Sequence, residues 1–457
     1  MNLDKEINSP GLFWTPGNED AKIPGILKIS DGGEITVETT SDKDISSSDL
    51  HVDRILGHIE TLGYVTLDDC FYWVKNSIFG LNQLSTSKIK ASRAYIGAIS
   101  DDDSPLLFTK FIFDIELLND WLRLTGIKVD IDYARGTGTV TYEPQPPIHI
   151  ELDEIKISIK FRHSIPSPNQ LTEAKITHSA YFEISTAHPK NIDFFVSQAR
   201  KTASFFCIAT DQVVGIKNVE AIIPATETTN GRDIKVGVFY RSLPFSTTRP
   251  TLRSRHDFPF TFPQISSHFQ EIIKCWMNNF DSLYPSINTY ISTKDGTHKY
   301  LENKFLSLAQ ALETFSRSTN TETQFEEEEF SKLCETLIRA CPEGHKEWLA
   351  RRLTHANEPN LSKRLKTLFQ PFNEQISIET RKVKSTIRKI VDSRNYLTHL
   401  DNASKDKCAS PKEMVELTHI MDAVFILTLL RHTGIHEEVI EYIIQSPNIK
   451  RRFTPFY

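Results

Sequence analysis

The pattern of apolar and polar residues changes near residue 265 of the chain. Before this point, short apolar alternations with a period of two are interrupted by turn residues, which is typical of β-strands. After it, apolar residues recur at three- and four-residue steps, as on one face of an α-helix. Residues 242–264 contain several prolines, which interrupt regular structure, so we place a linker there. The sequence therefore predicts a β-rich domain over residues 1–260 and a helical domain over residues 265–457.

Several segments of the N-terminal part predict individual elements. Segments 24–30 and 34–38 alternate on the two sides of an Asp-Gly turn, which predicts a β-hairpin. Segments 113–124 and 190–209 carry apolar residues at helical spacing and predict two helices. Further strands are predicted at residues 148–152, 155–161, 180–184 and 235–240. The predicted fold class of the chain is α+β, with the strands in the N-terminal part and the helices in the C-terminal part.

The C-terminal part is predicted to consist almost entirely of helices. In segment 300–317 the apolar side chains fall on one face, as expected of an amphipathic helix. Segment 325–340 opens with four consecutive glutamates, which suit a helix N-terminus because they interact favourably with the helix dipole. The remaining predicted helices are residues 378–400, 412–432 and 437–443.

Charge and composition narrow the classes of function. The net charge of the 457-residue chain is −6, whereas a protein that binds long nucleic acids non-specifically is usually basic, so RNA binding would need a local basic site. No apolar run approaches the roughly 18 residues that cross a bilayer, and the first residues lack a signal-peptide pattern. We therefore expect a cytoplasmic protein without a membrane partner. Cys334, Cys341 and His345 lie close in sequence, but no fourth ligand follows at a recognisable spacing, so no metal cofactor is expected.

One local basic region stands out from the acidic chain. Residues 376–401 contain six Lys or Arg side chains against three acids. The segment predicts a helix, because apolar residues at steps of four, three and seven can face a core. These residues, called the apolar stripe below, are Val383, Ile387, Ile390 and Leu397. We expect Arg388 and Lys389 of this region to bind RNA.

A second, polar stripe follows the same predicted helix. Arg388, Asp392, Asn395 and His399 follow one another at steps of four, three and four, which places them on one side of the helix. Such a polar stripe beside an apolar one is either a solvated helix face or a functional site. Its spacing alone does not distinguish these two interpretations.

Arg394 and His399 have the chemistry that RNA cleavage needs. They are five residues apart, which rotates an ideal helix by about 140°, so their side chains are not stacked. Histidine exchanges a proton near neutral pH, and arginine keeps its charge and presents a planar fork to phosphate oxygens. An imidazole that activates the ribose 2′-hydroxyl and a cation that stabilises the pentacoordinate phosphate suffice without a metal. Asn395 can orient the imidazole or hold a phosphate oxygen.

The segment Arg394–His399, Arg-Asn-Tyr-Leu-Thr-His, resembles the R-x4-H motif of HEPN domains, in which the Arg-Asn start is common. It lies on a long predicted helix, after the helical segment 305–313 and before an apolar helix that ends at residues 429–435. This arrangement resembles the ApeA-type HEPN family. Segments that resemble the ApeA N-terminal domain are residues 11–16, 23–27 and 64–70. The resemblance thus covers nearly the whole chain.

The resemblance implies a β-rich ApeA-like domain with a sensing or regulatory role, followed by an all-α HEPN helical bundle. It implies a bacterial antiphage protein of the abortive-infection type, which cleaves RNA, tRNA being one candidate, in response to a phage-derived trigger. It also implies a HEPN homodimer in which two motif helices form one composite cleft.

The same resemblance assigns roles to individual residues. Arg394 and His399 are implied to be catalytic and Asn395 supporting, and we also expect Asp392 to support the site. Glu313 is a weaker candidate for the acid that many HEPN proteins carry near the site, and a surface role is its alternative. Two functions stay open: a metal-independent endoribonuclease, and a non-catalytic HEPN scaffold for binding or dimerisation. The intact Arg394 and His399 favour the nuclease.

Overall fold

The computed structural model describes the chain over residues 1–41, 50–79, 84–98, 104–225, 231–251, 257–376, 380–400 and 402–454. The chain forms two compact units, Met1–Met277 and Asn278–Tyr457. The division falls inside a helix that begins at Phe269, so this helix contributes residues to both units. The sequence predicts that one domain ends at residue 260 and the next begins at residue 265. These boundaries refer to domains that fold on their own, and they stay a prediction.

The first unit is rich in β-structure, as the sequence predicts. Its strands β1 to β14 are, in chain order, Ile7–Trp14, Ile23–Ser30, Glu34–Ser41, His51–Ile59, Gly63–Phe79, Leu84–Ile96, Leu107–Ile115, Ile127–Asp132, Thr137–Tyr142, Ile148–Glu151, Ile155–Ser164, Thr177–Asn191, Ile216–Ile223 and Ile234–Tyr240. Its helices α1 to α3 are Leu118–Leu122, Ile192–Thr210 and Phe262–Ile265, and α4, Phe269–Ser292, is the helix that both units share. All strands but β8 and β9 belong to one sheet, and those two pair as a separate hairpin.

The first six strands close on themselves. The strand order β6-β3-β2-β1-β4-β5 returns to β6, because β5 and β6 also pair. The ring encloses apolar side chains that alternate with outward-facing ones, as period-two strands require. The predicted hairpin at 24–38 is confirmed as β2 and β3, in which Leu27 lies opposite Val37 and Ile29 lies opposite Ile35. All four of these side chains are buried in the ring.

The predicted helix over 113–124 is wrong at its start. Phe111, Phe113 and Ile115 are buried at every second position, so residues up to Ile115 belong to strand β7. Only Leu118–Leu122 is helical. The apolar residues at the end of the strand and those of the short helix follow each other without a break. Their combined spacing therefore matches the pattern of one longer helix.

The predicted helix over 190–209 is confirmed as α2, which spans Ile192–Thr210. Its first turn is capped by Asn191, whose side-chain oxygen accepts a hydrogen bond from the Phe194 amide at 3.0 Å. Residues Lys190 and Asn191 themselves still belong to strand β12. The helix packs against β7 and β12, and thereby covers one face of the sheet.

The regular structure of the second unit is helical, over the residues that the structure describes. Its helices α5 to α13 are Leu301–Thr319, Glu327–Ala340, Lys346–Leu353, Leu361–Phe369, Asn373–Ile376, Thr380–His399, Pro411–His432, Glu437–Gln445 and Pro447–Lys450. The five helices predicted in this region correspond to α5, α6, α10, α11 and α12, with ends that differ by a few residues. The predicted start at Ile378 lies outside the described residues. The α+β fold class, β-rich first and helical second, is confirmed.

Helix α11 forms the centre of the second unit. It begins with a capping box, in which the Ser410 amide donates to the Glu413 carboxylate at 2.7 Å. Most of its middle residues are buried, and it packs against α5, α8 and α12. Helices α5 and α8 in turn pack against α10, so the core supports the helix that carries the R-x4-H segment.

A buried charge fixes α11 to other parts of this unit. The Asp422 carboxylate accepts hydrogen bonds from the Tyr290 hydroxyl at 2.7 Å, the Lys294 ammonium at 2.8 Å and the Arg452 guanidinium at 2.7 Å. Burial acts to raise the pKa of Asp422, but the charges of Arg452 and Lys294 outweigh it and hold the pKa well below its usual range. Asp422 is therefore ionised and paired at neutral pH.

Candidate active site

Helix α10 is held in place by its apolar stripe. Val383, Ile387 and Ile390 are buried, and α10 packs against the neighbouring helices α5 and α8. Ser393 is also buried, and its hydroxyl oxygen accepts a hydrogen bond from the Ala409 amide at 2.8 Å. This bond fixes the C-terminal half of α10 to the start of α11. The backbone that carries the R-x4-H segment is thus anchored on two sides.

Arg394 lies on the side of α10 that carries the apolar stripe. It follows Ile390 by four residues and precedes Leu397 by three, so a charged residue stands where the spacing calls for an apolar one. Its Nη2 atom lies 3.5 Å from Glu313 Oε2 on α5, and its Nη1 atom donates to Asn395 Oδ1 at 3.3 Å. The structure thus brings together three of the predicted site residues, Arg394, Asn395 and Glu313. Their functional roles stay predictions.

His399 is placed differently from Arg394. It is the last residue of α10 and is exposed, and Leu400 ends the helix with a left-handed backbone at φ 50°. In the described part of the chain, no hydrogen bond or ion pair joins His399 to Arg394 or to any other side chain. A single chain therefore presents the imidazole to solvent, while the guanidinium faces α5.

The other predicted residues of the polar stripe pair with each other. Arg388 is 77% exposed, and its Nε atom lies 3.7 Å from Asp392 Oδ2, one turn further along the helix. Asp392 therefore contacts Arg388, and none of the described contacts joins it to His399. Lys389 lies 3.4 Å from Glu413 Oε1 and lines a cavity of about 360 Å³ between α10, α11 and the C-terminal segment. Both cations are near the motif, and RNA binding by them stays a prediction.

Two residues that extend the ion pair of Glu313, Arg317 and Glu358, were not identified from the sequence. The second oxygen of Glu313 accepts a hydrogen bond from Arg317 Nη2 at 3.2 Å, and Arg317 Nη1 donates to Glu358. Desolvation acts to raise the pKa of Glu358, but the hydrogen bond from His355 and the charge of Arg317 lower it. The spacing of four residues between Glu313 and Arg317 predicts a helix-surface pair, whereas Glu358 comes from a loop that no sequence pattern places here.

Within the described ranges, no group of three or more His, Cys, Asp or Glu side chains is arranged to hold a metal ion. Among the helices of the same ranges, none has the length and apolar character that a membrane crossing requires.

Comparison with known protein families gives two matches. Residues 9–276 match the model of ApeA N-terminal domain 1, which is more than half of the chain. Residues 306–439 match the model of the Apea-like HEPN domain. The chain belongs to the ApeA-type HEPN family. Comparisons with curated proteins and with solved structures gave no match.

The position of the HEPN match bears on the site of this ApeA-type protein. The matched region contains α5 and α10, and with them Glu313, Arg394 and His399. HEPN domains are generally ribonucleases, and they commonly form dimers and bind RNA. Membership in the family supports a role in HEPN-based antiphage defence.

Proposed function

We propose that this ApeA-type HEPN protein is a metal-independent endoribonuclease that cuts RNA with Arg394 and His399. The observation that carries the proposal is the placement of Arg394. A cation on the apolar side of α10 loses hydration, which costs free energy, and the ion pair with the half-buried Glu313 offsets this cost. A helix that served only as a scaffold has no need of a charge at this position. The exposed His399, at the end of the same helix, is open to a substrate.

The proposed reaction uses the 2′-hydroxyl of the RNA as nucleophile. The His399 imidazole accepts the hydroxyl proton while the 2′-oxygen attacks the phosphorus, and the bond from phosphorus to the 5′-oxygen breaks. Arg394 stabilises the additional negative charge on the pentacoordinate phosphate. The products are a 2′,3′-cyclic phosphate and a 5′-hydroxyl, the latter after a proton reaches the leaving oxygen.

We propose that a homodimer supplies the second proton-transfer group. The attacking and leaving oxygens lie on opposite sides of the phosphorus in an in-line reaction, and one imidazole cannot easily serve both. A two-fold contact between the exposed ends of two α10 helices would bring a second His399 to the same phosphate. Two copies of Arg394 would then share the phosphate charge.

The dimer is tested by mixing proteins. A roughly tenfold excess of the His399→Ala variant, equilibrated with wild-type protein, should convert most wild-type chains into mixed dimers and lower the cleavage rate severalfold. The dimer is measured by analytical ultracentrifugation, and an unrelated protein at the same concentration serves as the control. Wild-type protein that is monomeric at working concentration and fully active would rule out the composite site.

The non-catalytic scaffold is the competing function, and one incubation separates the two. Purified protein is mixed with total RNA in excess EDTA, and RNA length is followed by electrophoresis. We expect fragmentation, because no step of the proposed reaction needs a metal ion. Intact RNA after prolonged incubation, with protein that is folded and dimeric, would support the scaffold.

The proposed cellular role follows from the family and the reaction. We propose that the β-rich part senses a phage-derived trigger, which raises RNA cleavage above the basal rate of the purified protein. We further propose that this cleavage in the cytoplasm, with tRNA as one candidate substrate, stops phage growth by abortive infection. Plaque counts on bacteria that make either wild-type or His399→Ala protein test this role. Equal protection by both proteins would separate defence from the proposed cleavage.

A further inference from the structure

Arg394 is one end of a chain of alternating charges. Its Nη2 atom lies 3.5 Å from Glu313, and Glu313 lies 3.2 Å from Arg317. Arg317 donates to Glu358, and Glu358 lies 3.2 Å from Arg364 Nη2. The chain connects α10 with α5, with the loop before α8, and with α8 itself.

The two ends of this chain are held with different strength. Arg364 is buried, and its Nε atom also donates to the Pro359 carbonyl oxygen at 2.9 Å, so this end is fixed. At the other end, the contact between Arg394 and Glu313 is the longest in the chain, and Arg394 is 31% exposed. A substrate phosphate can therefore compete with Glu313 for the Arg394 guanidinium.

Resting on the proposed function, we propose that Arg317 is a positioning residue that sets how firmly Glu313 holds Arg394. The Glu313 carboxylate is shared between two guanidinium groups, Arg394 and Arg317. Arg317 is likewise shared between two carboxylates, Glu313 and Glu358. A change at either neighbour of Arg317 therefore redistributes the attraction that acts on Arg394.

Removal of the Arg317 charge and removal of the Glu358 charge should have opposite effects on kcat/KM. In Arg317→Gln, Glu313 keeps only Arg394 as a partner, so the pair between them becomes tighter. The substrate phosphate then competes less well for Arg394, and kcat/KM should fall by about threefold, which corresponds to the free energy of one partly exposed ion pair. In Glu358→Gln, Arg317 turns fully to Glu313, the hold on Arg394 loosens, and kcat/KM rises by a similar factor of about three. A purely structural role of the chain would make both variants less active.

The experiment measures kcat and KM of the full-length protein on one RNA, with thermal unfolding of every variant as a check of folding. Arg317→Lys keeps the charge and should restore most of the activity that Arg317→Gln loses. In a Glu313→Gln background, Arg317→Gln should have no further effect, because the residue through which it acts is absent. Arg351→Gln removes an exposed pair of the same four-residue spacing, with Glu347, and should leave kcat/KM unchanged.

Two outcomes would overturn the positioning role: equal losses in Arg317→Gln and Glu358→Gln, or an Arg317→Gln effect that persists in the Glu313→Gln background. Arg394→Ala separates this failure from failure of the proposed function. If Arg394→Ala stays active, the proposed catalytic role is wrong. If Arg394→Ala is inactive while Arg317→Gln equals the wild type, only the positioning role is wrong.

Discussion

The His399→Ala variant is expected to lose RNA cleavage by about a thousandfold, because a positioned general base contributes roughly 10²- to 10⁴-fold to a rate. His399 is exposed at the last position of α10, and its truncation leaves no cavity in the core. The free energy of unfolding should therefore change by less than about 0.5 kcal/mol. The loss of activity can then be assigned to chemistry and not to unfolding. The measurement is kcat/KM together with thermal unfolding.

A matched control for this experiment exists on the same helix. Lys384 belongs to the basic region but is exposed and is not one of the two residues expected to bind RNA, so Lys384→Ala should keep most of the wild-type activity. Arg394→Ala should lose activity like His399→Ala, because it removes the cation that stabilises the phosphate charge. Full cleavage by a well-folded His399→Ala protein would refute the assignment of His399.

A substrate with a single 2′-deoxynucleotide at the cut position is expected to resist cleavage at that position completely. The proposed nucleophile is the hydroxyl that this substitution removes, so the reaction has no route there. DNA of the same sequence should survive for the same reason. The measurement is the length of the fragments from an end-labelled oligonucleotide.

The control for this substrate carries its deoxynucleotide one position away from the cut, and it should be cut at nearly the normal rate. This pair of substrates separates loss of the nucleophile from loss of binding. Cleavage at the phosphate that follows the deoxynucleotide would show that water or another group attacks, and the proposed mechanism would fail.

Periodicity predicts the elements of this fold well where one pattern extends over the whole element. Helix α11 has a Ser-Pro start with a glutamate at the capping-box position, and strands β2 and β3 flank a recognisable turn. The pattern failed at residues 113–124, where the end of a strand and a five-residue helix share one apolar run. Local spacing cannot locate a boundary that tertiary packing determines.

The site was predictable from the sequence only in part. A separation of five residues predicts that Arg394 and His399 point in different directions from the helix. In the structure Arg394 faces α5 and His399 faces solvent. The spacing also predicts that Arg394 lies between Ile390 and Leu397 on the side of the helix that carries the apolar stripe. Its contact with Glu313 depends on the packing of α5 against α10, and Glu358 joins through a loop, so these partners required the fold.

The central claim, that this protein cuts RNA through the 2′-hydroxyl with Arg394 and His399, is tested most directly by the chemistry of the RNA ends. Purified wild-type and His399→Ala proteins are incubated with one RNA in EDTA, and the new termini are identified by mass spectrometry. We predict 2′,3′-cyclic phosphate and 5′-hydroxyl termini in the wild-type reaction and none with His399→Ala. New 3′-hydroxyl and 5′-phosphate termini, or cleavage that begins only after a metal ion is added, would contradict the claim.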